Sequence, residues 1–237
     1  MSHLIMGRNC IAEVLKVDPE RILEVYTCQK PGGDELYHKL VQAKIKITER
    51  QKHQLAQMVN SESHQSYVAK VKDREWVSVK DFLREERAQS VVLMLDSIND
   101  PQNFGAILRA AECFGVNLVI YSKNRGVDIT PVVSKVSAGA SELVPIACVS
   151  NLAETMKAFQ KSGYWAMTAD VGEGSQNLYE HQPAEKTLLV MGSEGKGVQP
   201  LIVKKCDFHL HIPMKGQIDS LNVSQATSVF LSFLCRH

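Results

Sequence analysis

No stretch of this chain approaches the roughly 18 consecutive apolar residues needed to cross a bilayer. The first nine residues also lack the apolar centre of a signal peptide, so the cytoplasm is the expected address and a membrane partner is not. Cysteine is present without a pattern. The six (Cys10, Cys28, Cys113, Cys148, Cys206, Cys235) form no C-x-x-C pair, which argues against a zinc site or a disulfide framework and leaves single thiols. Charge of either sign is not in excess either. A formal net charge of +1 gives no electrostatic signature of a nucleic-acid binder. One local group, Lys44, Lys46, Arg50 and Lys52, fits either a basic patch or a solvated helix face. Internal repeats and low-complexity tracts are missing.

What is present is ordinary globular material: 237 residues, 44% hydrophobic and 22% charged, enough for one large or two modest domains with buried cores. Residues 1–72 mix helical segments (11–16, 34–44) with short apolar runs (22–26, 45–47, 67–71), which predicts a small α/β domain. Residues 73–89 are charged and weakly apolar, a linker with a short helix near 79–86. From residue 90 to the end, strands and helices alternate. Strands are expected at 91–95, 117–121, 144–147, 164–168, 187–191 and 208–212, and helices at 103–114, 130–136, 152–162, 198–206 and after 222. Near-continuous apolar strands in that order predict an α/β fold with a mostly parallel sheet covered on both faces. In such sheets ligands bind beyond the carboxyl ends of the strands, so the loops after Leu95, Thr168, Met191 and Ile212 are the places for a site.

The loop after Leu95 leads into a helix on which Asn103 is a candidate cap and Arg109 a guanidinium suited to phosphate. A spacing of six sets the two far apart around an ideal helix, so for this loop taken alone a cap plus a solvent-exposed arginine is the preferred account. The turn after Met191 reads G-x-x-G-x-G. That is neither the dinucleotide fingerprint G-x-G-x-x-G nor a phosphate-binding loop ending in G-K-[ST], and it disfavours a nicotinamide-dependent oxidoreductase. Its one acid is Glu194. Before the last helix, Lys215, Gly216, Gln217, Asp219 and Ser220 crowd polar groups at a helix start, where free N–H groups and the dipole favour polar ligands. Asn222 reads as the N-cap, with Gln225 at capping-box spacing. His209 and His211 share one side of a strand but lack a third ligand, so no metal is expected. Ser220 has no histidine nearby in sequence, which leaves Ser-His chemistry unsupported.

Three segments taken together, Asn103-Phe-Gly-Ala-Ile-Leu-Arg109, Met191-Gly-Ser-Glu-Gly-Lys-Gly-Val198 and Ile212-Pro-Met through Ser220-Leu-Asn-Val-Ser224, resemble in letters, order and spacing the three motifs of the SpoU/TrmH class of RNA 2′-O-ribose methyltransferases. In addition, Met6-Gly-Arg-Asn-Cys-Ile-Ala-Glu-Val-Leu15 and His64-Gln-Ser-Tyr-Val-Ala69 resemble the ribosomal-protein-like RNA-binding domain of the 23S rRNA branch. Ser66 stands where that branch usually has glycine. The resemblance implies a deep trefoil knot at the C-terminus, an exception to ordinary chain topology. It also implies an S-adenosylmethionine pocket made by Gly192, Ile212 and Leu221 with Thr168 nearby, completed at a homodimer interface. By the same resemblance Arg109 binds RNA phosphate and helps to activate the hydroxyl, while Asn103, Glu194, Ser220 and Asn222 shape the catalytic site. Ribosomal RNA is the expected partner. A tRNA-modifying enzyme and a noncatalytic RNA-binding protein of the same fold are the alternatives.

Overall fold

The computed structural model describes residues 1–170, 172, 174–193 and 195–236. In chain order the elements are β1 (Ser2–Met6), α1 (Arg8–Val17), β2 (Ile22–Thr27), α2 (Glu35–Gln42), β3 (Ile47–Glu49), α3 (Lys52–Val59), β4 (Tyr67–Lys72), α4 (Val79–Arg84), β5 (Ser90–Asp96), α5 (Pro101–Cys113) and β6 (Leu118–Ser122). They continue with α6 (Pro131–Val136), α7 (Ala140–Leu143), β7 (Ile146–Val149), α8 (Leu152–Lys161), β8 (Trp165–Ala169), β9 (Gln176–Asn177), β10 (Lys186–Gly192), α9 (Pro200–Val203), β11 (Phe208–His211) and α10 (Val223–Leu234). The chain divides into two compact units, Met1–Glu75 with Ile129–Leu143, and Trp76–Asp128 with Val144–His237. Among the described residues no helix is long and apolar enough to cross a membrane.

The first unit holds a four-stranded sheet in the order β1-β4-β2-β3, antiparallel except where β3 joins β2. Ile5, Ile11, Val14, Val25, Leu40 and Tyr67 fill its core. The Tyr67 hydroxyl finds its polar partner at Asp34, 2.9 Å away, and Asp34 also accepts the Tyr37 amide to cap α2. Strand β1 and helix α3 were not expected. The reason is local: only Ile5 and Met6 of β1, and Leu55, Ala56 and Val59 of α3, are buried, too few to set a period. Helix α6, expected in the second domain from the alternation of elements, packs on β1 in the first unit. Glu142 of α7 is buried there, paired with Arg21 at 2.7 Å. A buried carboxylate needs such a partner, and no local sequence signal says which residue supplies it.

Ser66, the departure from glycine, sits at φ +67°, directly after Gln65 at φ +53°. Its backbone is held there: the carbonyl accepts the Thr27 hydroxyl at 2.8 Å, and the amide donates to His64 Nδ1 at 3.1 Å. A left-handed residue with a Cβ costs about 1–2 kcal/mol, partly offset on changing to glycine by the added freedom of the unfolded chain. Ser66→Gly is therefore expected to stabilise the protein by about 0.5–1 kcal/mol. Thermal unfolding reads this directly, and a lowered melting temperature would contradict it.

The second unit is built on a seven-stranded, wholly parallel sheet in the order β7-β6-β5-β10-β8-β11-β9. Strands β5 and β10 run side by side from Lys186 opposite Ser90 to Gly192 opposite Asp96. Their Val92, Met94, Leu188 and Val190 join Phe159, Ile202 and Met156 in one core. Burial pushes the Cys206 thiol up to about 12 and that of Cys235 up to about 11, so both stay protonated and unreactive. Helix α9 is shorter than the 198–206 expected. Gly197 is left-handed at φ +66°, Pro200 starts the helix, and after Lys204 the chain turns so that Asp207 N–H reaches the Ala166 carbonyl at 2.7 Å.

Candidate active site

Because the sheet is parallel, the loops after β5, β6, β10, β8 and β11 all leave one edge. The first of them turns into α5 at Asp100, whose side chain accepts the Gln102 amide at 2.9 Å, with Pro101 in the first helical position. Asn103 is therefore not the cap. It lies in the first turn, buried, and its Oδ1 accepts a hydrogen bond from Asn222 Nδ2 at 2.9 Å. Asn222 does cap its helix as expected, accepting the Ser224 amide at 2.8 Å and the Ser224 hydroxyl at 2.6 Å, while Gln225 stays exposed. One amide thus starts α10 and ties it to α5. Asn222→Ala is expected to lose the cap, about 1 kcal/mol, together with the tie to Asn103; a melting temperature and a turnover both equal to wild type would remove Asn222 from cap and site alike.

Arg109 lies on the same helix as Asn103, on the face turned to solvent. It is exposed and has no carboxylate or carbonyl partner among the described residues. Six residues at 100° each separate the two side chains by about 240°, so they face different ways, as the spacing required.

The glycine-rich turn has an internal cause. A Cβ on Gly192 would stand 2.1 Å from the Gly197 carbonyl carbon and 2.2 Å from the Val198 nitrogen. The loop doubles back on its own strand end, with Ser193 and Gly197 exchanging hydrogen bonds at 2.9 and 3.2 Å. Gly195 and Gly197 both take positive φ to allow it. Glu194 lies outside the described residues. Beneath the turn, Asp96 is fully buried at the end of β5 and accepts from the Gln199 amide at 2.8 Å, from Gln199 Nε2 at 2.7 Å and from Ser97 Oγ at 3.0 Å. Sequence reasoning missed Asp96 and Gln199. An acid closing the most apolar strand of the chain was the available signal.

On β8, Thr168 is fully buried and its hydroxyl has no hydrogen-bond partner among the described residues. Unpaired buried hydroxyls are uncommon and call for a ligand or a water. After β11, Ile212 joins Ser175, His211, Gly216, Gln217 and Asp219 around a cavity of about 380 Å³. Leu221 and Ile218 leave much of their apolar surface open, 38% and 78%. Ser220 is exposed, its hydroxyl donating to Asp219 at 3.2 Å. His209 and His211 do point to one side, but to separate partners: Asp170 at 3.2 Å and Ser175 at 2.9 Å. Among the described residues no three His, Cys, Asp or Glu side chains are grouped to hold a metal ion. The structure therefore joins Asn103 to Asn222 and sets Gly192 beside Asp96, while Arg109, Ser220 and Leu221 stand open at the protein surface.

Residues 90–232 match the SpoU rRNA Methylase family, and residues 4–77 match the RNA 2'-O ribose methyltransferase substrate binding family. A 23S rRNA (guanosine-2'-O-)-methyltransferase RlmB from Vibrio cholerae is 35% identical over 97% of this chain and 95% of its own length. The RlmB of Shewanella oneidensis is 37% identical over 96% of this chain and 94% of its own. Among solved structures, the SpoU methyltransferase AviRb from Streptomyces viridochromogenes in complex with AdoMet has the same fold: TM-score 0.81 at 20% identity, covering 99% of this chain and 89% of that one. An A. aeolicus TrmH/SpoU tRNA modifying enzyme, 28% identical with a TM-score of 0.56, covers 68% of this chain and 84% of its own. The chain belongs to the SpoU rRNA methylase family.

Proposed function

We propose that this protein transfers the methyl group of S-adenosylmethionine to a ribose 2′-hydroxyl of 23S rRNA, at a guanosine. The observation that carries this reading is the Asn222–Asn103 hydrogen bond, which ties the third motif segment to the first at the carboxyl edge of the sheet. The near full-length match to enzymes of that name, including the substrate-binding unit, favours rRNA over tRNA. When bound, S-adenosylmethionine supplies a sulfonium methyl for in-line displacement by the ribose oxygen. Thr168, Gly192, Ile212 and Leu221 would hold it: the buried Thr168 hydroxyl offers a polar contact, the glycine turn offers main-chain groups, and half-buried Ile212 with exposed Leu221 offers apolar cover. Strand β10 inserted between β5 and β8, with α10 lying on α5, supports a knotted C-terminus around that pocket. The open apolar surface of Met214, Ile218 and Leu221 supports a homodimer.

Arg109 clamps the phosphate next to the reacting ribose and stabilises negative charge developing on its 2′-oxygen. A guanidinium is a poor proton acceptor, so its contribution is electrostatic. Asn103 and Asn222, hydrogen-bonded to each other, fix the starts of α5 and α10, and the family motifs add Ser220 and Glu194 to the catalytic set. Alignment of this kind supplies roughly 7–11 kcal/mol of barrier reduction in favourable cases. Calorimetric titration with S-adenosylmethionine followed by methyl transfer to unmodified 23S rRNA tests the reading. RNA binding with neither cofactor binding nor transfer would replace it with a noncatalytic RNA-binding protein.

A further inference from the structure

The loop after β6, residues 123–127, carries none of the catalytic or cofactor-binding residues, yet it is held more firmly than a solvent loop requires. Lys123 N–H donates to the Val149 carbonyl at 2.9 Å, at the end of β7. Asn124 N–H reaches the Ser122 hydroxyl at 3.3 Å, and Arg125 N–H the Ser122 carbonyl at 3.4 Å. On the other side, Val127 N–H donates to the Ile98 carbonyl at 2.9 Å, in the loop that leads into α5. Gly126 makes that approach possible. Its φ is +118°, and a Cβ there would stand 2.7 Å from the same Ile98 carbonyl oxygen. Finally the Arg125 guanidinium donates to Gln199 Oε1, and Gln199 passes its own amide protons to buried Asp96, opposite Gly192. The loop is thus pinned both to the segment carrying Asn103 and Arg109 and to the segment following the glycine turn.

What this frame presents is positive charge. Lys123 and Arg125 are exposed, and among the described residues neither pairs with a carboxylate. The acid of the segment, Asp128, accepts the Tyr121 hydroxyl at 2.7 Å. One N–H of the Arg125 fork goes to Gln199, and the remaining donors face solvent. A guanidinium oriented through a side-chain amide and a buried carboxylate has lost its freedom before any ligand arrives, which favours a bidentate contact to an oxyanion. Strands β6, β5 and β10 are neighbours, so this cation leaves the sheet beside the two loops that bear the reacting groups.

We propose that Arg125, supported by Lys123, is a second phosphate-binding residue for the RNA substrate, separate from Arg109, and that it sets RNA affinity rather than the chemical step. The inference rests on the RNA methyltransferase reading above. Phosphate contacts position a nucleic acid and release counterions, so their loss appears in the salt dependence of binding. The test uses the full chain with R125Q, which keeps an amide able to meet Gln199, and R125K, which keeps the charge but not the fork. Expected for R125Q are a KM for an unmodified 23S rRNA fragment raised about 10-fold or more, a salt slope of RNA binding reduced by about 1, and an unchanged kcat at saturating RNA. R125K is expected to recover the slope and only part of the KM. Affinity for S-adenosylmethionine and the melting temperature should stay at wild-type values. An unchanged KM and slope in R125Q would overturn the proposal, as would a loss of cofactor affinity or melting temperature, which would make Arg125 a brace for the glycine turn. If the wild-type protein binds the RNA with the full salt slope but transfers no methyl group, the enzymatic reading fails while the Arg125 contact stands.

Discussion

Arg109→Ala is expected to lower methyl-transfer turnover by about 10²–10³, the effect of removing one group that stabilises developing charge. That the loss is confined to transfer follows from where the side chain stands. It is exposed on α5 with no partner among the described residues, so its removal breaks no ion pair and leaves no buried acid unpaired. The face of α5 that carries the packing, Phe104, Ile107, Leu108 and Ala111, is untouched. The melting temperature and the affinity for S-adenosylmethionine should therefore match wild type, and the whole loss should appear in transfer to RNA. Turnover within a few-fold of wild type would sink the role assigned to Arg109, and with it the clamp on the 2′-oxygen. A loss confined to KM would instead make Arg109 a binding residue of the Arg125 kind.

Gly192→Ala is expected to do the opposite, striking the fold of the site before its chemistry. The added methyl would have to occupy space 2.1 Å from a backbone carbon of the same loop, and a backbone cannot yield as a side-chain tip can. The loop must open, which costs about 3 kcal/mol by analogy with an overpacked core, or roughly 6–12 °C in melting temperature for a chain of this size. Affinity for S-adenosylmethionine should fall by at least about 10-fold, the equivalent of about 1.4 kcal/mol, because the main-chain groups offered by the turn move with it. Gly195→Ala is the control. Unlike Gly192 it has positive φ, +78°, but nothing lies within 4 Å of its added Cβ, so only the conformational cost of about 1–2 kcal/mol applies. Equal losses in the two variants would show that crowding at Gly192 is not what the turn depends on.

The parts of the fold legible from sequence are those where burial is dense and regular. Strands β5 and β10 are almost wholly apolar, and α10 shows its cap and buried face within a dozen residues. The failures have the same explanation in reverse. Strand β1 and helix α3 bury too few residues to show a period, and α9 is cut short by a glycine conformation and a proline rather than by a change in apolar pattern. The cap of α5 lies three residues before Asn103, at Asp100; both are good capping residues, and only Pro101 in the first turn separates them.

Sequence by itself determined the parallel α/β sheet, the loops at its carboxyl edge and the residues that mark the family, because each depends on a run of neighbours or a local pattern. Only the tertiary structure decided that Asn222 serves both its helix and Asn103, that Gly192 is dictated by Gly197, that helix α6 belongs to the first unit, and that Asp96 holds Gln199 and through it Arg125. These are contacts between residues far apart in the chain. A buried amide or carboxylate must be satisfied by some partner, and which partner that is depends on the strand order that brings them together.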